Sequence, residues 1–308
     1  MFCSWVNTLV QSTGTFALQI KIFVHMIKNP FHIYGKIADK TALQKKEEEM
    51  YWALVKCCFK QQIQYKWNLL FQIIGDWLRI YIKICIWQAL FQAGTKEMAD
   101  LKALIIYSVT ASLIIILTNS YVAANLSDRV RSGMIAIDLI RPVSLKWYCF
   151  FQQIGENLFH FLFEGIFIAV LSWLIWKLPL PEVKTAVPFL LCLVFGVVIM
   201  FYIQYTIGLL VFWMKDGTYT RMITDALFVL FSGIEIPLWF YPEWLKKVSQ
   251  FLPFRFVVFE PVTVSLGQAK GKEIVWILCM QILWLLILSR LERRLWKYIK
   301  STIEIQGG

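Results

Sequence analysis

Charge is scarce in this sequence: 17% of its 308 residues are Asp, Glu, Lys or Arg, against 58% apolar, where a water-soluble domain usually carries about 25% charged residues. That shortage excludes an ordinary soluble domain, a disordered chain and a nucleic-acid-binding surface. The 31 Lys and Arg against 20 Asp and Glu are spread along the borders of apolar runs and are not gathered on one domain face. Histidine is nearly missing, with only His25, His32 and His160, and there is no H-E-x-x-H pair or G-x-S-x-G turn, so zinc or serine hydrolysis lacks its parts. A phosphate loop is approached only by Gly267-Gln-Ala-Lys-Gly-Lys-Glu273, which is one residue short and ends in Glu where Mg²⁺ needs a hydroxyl. No nucleotide site is expected there. The seven cysteines are odd in number and hold no C-x-x-C spacing, so they read as free thiols. The stretch through Ile27 has no basic start, compact apolar core or small-residue cleavage site, and no removed leader is expected.

Long apolar runs and aromatic residues are abundant. Six segments are long enough for roughly 30 Å of hydrocarbon: about Trp67–Phe91, Leu104–Val122, Phe150–Trp176, Val187–Trp213, Met222–Phe240 and Ile274–Leu291. The fold class expected is all-α and polytopic, with six transmembrane helices. An even count puts both termini on one side. Lys and Arg are richer on the flanks before the first span, between the second and third, between the fourth and fifth, and after the sixth, which places those flanks and both termini in the cytoplasm. The 24 Phe, 14 Trp and 12 Tyr read mainly as interfacial belt and helix packing.

The organisation expected is a separate N-terminal extension over 1–49, an interfacial helix over 50–66 and a six-span body over 67–308. In the 50–66 stretch Tyr51, Leu54, Val55, Cys58, Phe59 and Ile63 recur at helical spacing opposite Lys56, Lys60 and Lys66. Such a helix lies in the inner interface with its lysines toward anionic headgroups, or else packs as a solvated helix on a soluble partner. After the fifth span, residues 232–262 are too apolar for a free loop and too broken by Gly233, Pro237, Pro242 and Pro253 for a span. Short re-entrant or interfacial helices on the outer face are expected, Glu235 among them.

Two polar stripes lie inside expected spans. Glu156, His160 and Glu164, with Asn157 beside them, share one face of the third, and Asp76, Arg79 and Lys83 share one face of the first. Ionisable groups in hydrocarbon must be paired or hydrated, which leaves three readings: ion pairing between the first and third spans, a polar lining of a substrate path, or a proton or metal relay. A single histidine between two carboxylates is thin for a metal centre, and no metal is expected. The inner loop over 125–147 carries Ser127 as an N-cap for a short helix, and Pro142 stops that helix at Arg141.

The run Ile135-Ala-Ile-Asp-Leu-Ile-Arg-Pro-Val-Ser144, the segment Phe231-Ser-Gly-Ile-Glu-Ile-Pro-Leu238, and Phe251-Leu-Pro-Phe254 with Pro261, Val262 and Gly267 resemble the permease subunits of type 2 ATP-binding-cassette (ABC) exporters. The resemblance covers Met50 to Gly308, and the small bacterial permeases encoded beside a separate ATPase are similar to it. It implies a multi-pass protein of the bacterial cell membrane that is not itself an enzyme and has no catalytic residues. ATP and Mg²⁺ would be bound by partner ABC ATPase subunits. A second permease, identical or not, would complete the path in the lipid bilayer. In such permeases the inner loop is the coupling helix, here Asp128 to Ser144. Ile135, Ile137 and Leu139 would then contact the ATPase, with Arg129, Asp138 and Arg141 fixing register and Asp128 and Pro142 belonging to the same coupling segment. A proton-coupled secondary transporter and a membrane-embedded metal-dependent enzyme are the alternatives. The transported substrate is not legible.

Overall fold

The computed structural model describes residues 40–93, 100–140, 143–178, 183–212 and 218–302. The chain divides into two units, Met1–Glu48 and Glu49–Gly308. The second holds an all-helical bundle with no strand among the described residues. In chain order the helices are α1 Lys40–Gln62, α2 Lys66–Gln92, α3 Leu101–Thr118, α4 Val122–Arg131, α5 Ile135–Ile140, α6 Leu145–His160, α7 Ile166–Trp176, α8 Val183–Leu210, α9 Thr218–Ser232, α10 Glu243–Gln250, α11 Phe259–Ser265 and α12 Gly271–Thr302. Four stretches are long and apolar enough to cross a membrane: Leu101–Arg131, Leu145–Trp176, Lys184–Leu210 and Gly271–Lys300. The protein is therefore an all-α polytopic membrane protein.

Helices occupy all six expected spans, with different bounds. The first is held by α2, which is 27 residues long but is diluted by Asp76, Arg79 and Lys83. The fifth was expected to reach Phe240, yet α9 ends at Ser232. Gly233 takes φ +76°, a left-handed geometry that stops a helix at little cost only for glycine. The last helix runs 32 residues, well beyond Leu291, because its second half alternates charged residues with a buried stripe of Leu288, Glu292 and Ile299.

Around α8 pack α3, α4, α11 and α12. One apolar cluster joins α4, α6, α8 and α12 through Val122, Leu126, Leu145, Phe201, Tyr205, Leu209 and Ile299. A second joins α2, α3 and α7 through Ile80, Ile84, Ile105, Val109, Ile116 and Ile168. The amphipathic helix expected before the first span is present, and Tyr51, Val55 and Cys58 of its apolar face are buried against this chain. Tyr51 stacks on Phe151 at 4.6 Å between centroids, and Phe59 meets Phe159 edge-on at 5.2 Å. Glycine at 155 permits this approach, since a Cβ there would stand 2.7 Å from the Val55 carbonyl oxygen. Ile63, read as part of that stripe, is exposed. Burial pushes the Cys58 thiol up to about 11, so it stays protonated and unreactive at neutral pH.

Breaks in helices inside an apolar bundle need donors for the carbonyls they free, and side chains supply them. After α3, Asn157 Nδ2 donates to the Leu117 carbonyl at 2.7 Å. After α9, Tyr107 Oη donates to the Gly233 carbonyl at 2.7 Å, Lys83 Nζ to that of Ile234 at 3.0 Å, and Tyr241 Oη to that of Leu230 at 2.7 Å.

Candidate functional site

The first candidate is the α4–α5 turn. Ser127 does not cap a helix there: it is buried within α4, because the chain breaks earlier, at Asn119 to Tyr121, and α4 continues through Arg131. Gly133 at φ +73° then turns the chain into α5. Arg129 Nη1 meets Asp138 Oδ2 at 2.5 Å, its guanidinium carbon lies 5.3 Å from the centre of the Tyr148 ring, and its other nitrogen donates to Tyr148 Oη at 3.4 Å. The carboxylate of Asp138 is buried. These two residues lock α5 onto α4 and α6 and do not project outward. Ile135 likewise turns inward, against the cluster of Leu126, Phe201 and Tyr205. The side chains left outward are Met134 at 48%, Ile137 at 50%, Leu139 at 37% and Ile140 at 84% exposure. Met134 and Ile140 were not among the expected ATPase contacts; the signal was available, since residues three and four apart share a helix face. Asp128 is exposed on α4, whereas Arg141 and Pro142 lie outside the described residues.

Beside this turn, Lys146 Nζ contacts Glu292 Oε2 at 3.2 Å, joining α6 to α12, and sits 5.6 Å over the Tyr202 ring on α8. Periodicity within one helix could not have joined residues so far apart in sequence.

The second candidate is the polar stripes. Glu164 is fully buried in a π-helical turn, Phe161–Gly165, between α6 and α7. Such a turn carries one extra residue and re-aims the side chains on it. His160 Nδ1 lies 3.3 Å from Glu164 Oε2, and the Asp76 carboxyl of α2 comes within hydrogen-bonding reach of Glu164. Arg79 pairs with Asp76 at 3.5 Å. The first and third expected spans therefore do meet through their polar faces, carboxyl to carboxyl. Lys83 is drawn elsewhere, to Glu235 Oε2 at 2.8 Å. Glu156 also separates from the stripe: it accepts from Gln152 Nε2 at 3.1 Å and lines a small cleft with Tyr121, Asn125, Arg129 and Gln153. Among the described residues no group of three His, Cys, Asp or Glu could hold a metal ion.

The broken segment after α9 consists of short helical pieces: Leu238–Phe240, α10, Pro253–Phe256 and α11. Phe256, Val257, Val258, Val262 and Val264 on it are wholly buried. Gln281 Nε2 of α12 donates to the carbonyls of Phe256 and Cys192, both at 2.9 Å, and Arg255 pairs with the buried Glu260. Pro242 immediately precedes α10 as its N-cap residue, and Pro253 begins the second 3₁₀ turn of the segment. Trp244 and Phe251 stand out from the segment.

No curated protein matches the chain. The family of ABC-2 transporter proteins matches it over residues 63–307, the stretch that holds every feature above except most of α1. The bundle, the turn and the broken segment are thus parts of a membrane transport subunit, and the chain belongs to the ABC-2 transporter family.

Proposed function

We propose that the chain is the membrane-spanning subunit of an ATP-driven exporter of the bacterial cell membrane. It crosses six times with both termini in the cytoplasm, and it forms the path with a second permease. Two ATPase subunits bind ATP and Mg²⁺ and dock on the α4–α5 turn. ATP binding draws them together, the turn transmits the movement, and the two permeases rock about a shared path. The observation that carries this reading is the turn itself. A surface of Met134, Ile137 and Ile140 stands on a framework held from inside by Arg129, Asp138 and Tyr148, which is what an apolar anchor on a force-bearing contact requires.

α9 spans about 22 Å at ~1.5 Å per residue, and the Ser232–Phe240 stretch completes the crossing, its carbonyls met by Tyr107 and Lys83. Isolation of the full chain from its own membranes tests the reading. The expected result is an accompanying subunit that hydrolyses ATP, with transport that stops when ATP is withheld. Transport by the chain alone, driven by a pH gradient, would replace it with the secondary transporter.

A further inference from the structure

The contact between α2 and the π-helical turn carries an inference independent of any ATPase. Glu164 is 0% exposed, and its two oxygens are in different situations. One faces His160 Nδ1 at 3.3 Å. The other, Oε1, is buried and meets no hydrogen-bond donor, and the Asp76 carboxyl lies within hydrogen-bonding reach of the same side chain. Two ionised carboxylates are acceptors only, and an acceptor facing an acceptor in an apolar bundle is repulsive unless a proton lies between them.

The surrounding charges can be named. From α2 come Asp76 and Arg79, 3.5 Å apart, and from the end of α6 and the π-helical turn come His160 and Glu164. Glu156 is engaged with Gln152. Helix α3, which packs on the turn, carries as ionisable groups only Lys102, in its opening turn, and Tyr107, whose hydroxyl is on Gly233. With both carboxyls ionised and His160 neutral, the cluster is −1; one bound proton makes it neutral. Protonating His160, whose Nδ1 is on Oε2, also neutralises it, but puts no proton between the two carboxyls. Only an O–H on one of the two carboxyls closes that contact.

We infer that Asp76 and Glu164 form a proton-binding site, one carboxyl donating its O–H to the other carboxylate, and that this shared proton ties α2 to the π-helical turn between α6 and α7. The proton is taken from water and returned to it, with no other bond made or broken. Raising the pH removes it, leaves two negative charges in contact and loosens α2 from the turn.

Infrared spectroscopy of the full chain in lipid bilayers tests this. At neutral pH the wild-type protein should show a protonated carboxyl band that shifts in D₂O. That band should be lost as pH rises, over the range in which thermal stability falls. Glu164→Gln and Asp76→Asn should each remove it, whereas Glu156→Gln and His160→Gln should leave it. A wild-type spectrum without a pH-dependent band overturns the inference with no variant needed, and so does a band that survives both carboxyl substitutions. Loss of the band on adding sodium at constant pH would overturn it in favour of a cation site.

Discussion

Lys146 and Glu292 are not equivalent partners. The Glu292 side chain is 4% exposed and that of Lys146 19%, and the longer, more exposed residue can redirect its ammonium group to water. Lys146→Met therefore leaves a buried carboxylate without its cation, at a cost of about 3–5 kcal/mol. Glu292→Gln leaves a lysine able to move, and a smaller loss is expected. Thermal unfolding of the two variants in detergent checks the order, and equal losses would show that the pair is solvated. Single residues of this kind explain what the sequence conceals. Asp138 reads as a surface carboxylate of a basic loop, but it is buried because Arg129 lies one turn of chain away in α4. Asn157 reads only as a polar neighbour of the Glu156–Glu164 stripe, and it donates to the carbonyl freed at the end of α3.

At the scale of elements, periodicity gave the apolar runs and the amphipathic helix, because lipid and packing both demand long apolar faces. The helix ends were not legible. α3 stops at Thr118 and α9 at Ser232 where side chains from other helices receive the freed carbonyls, and those partners are distant in sequence. The seating of α1 on α6 was equally hidden, because it depends on one missing Cβ. Gly155→Leu forces the helices apart, since even a Cβ would stand 2.7 Å from the Val55 carbonyl. We expect Cys58, buried and held protonated in the wild type, to become reactive to a maleimide, as mass spectrometry of the labelled chain would reveal. Unchanged protection of Cys58 would mean that α1 is not held by this contact.

For the whole molecule, fold class and family were legible because composition and the ordered motifs act over the full length. The carboxyl contact of Asp76 with Glu164 was legible only as two stripes that could meet. Topology turns on α9. If it crosses, cysteines introduced at Lys184 and Lys270 will both react with an impermeant label in intact cells, and those at Arg131 and Lys300 will not. If only the four long apolar stretches cross, Lys270 will share the side of Arg131. The central claim concerns the turn through which a separate ATPase would drive this bundle. Ile137 and Ile140 are exposed at 50% and 84%, so Ile137→Glu with Ile140→Glu should leave insertion and folding unchanged. The most direct measurement is ATP hydrolysis by the ATPase subunits reconstituted with either form of the chain. Stimulation by the wild type and its loss, with weakened association, in the double variant is the predicted result. Normal assembly and undiminished stimulation by the double variant would contradict the coupling role of the turn.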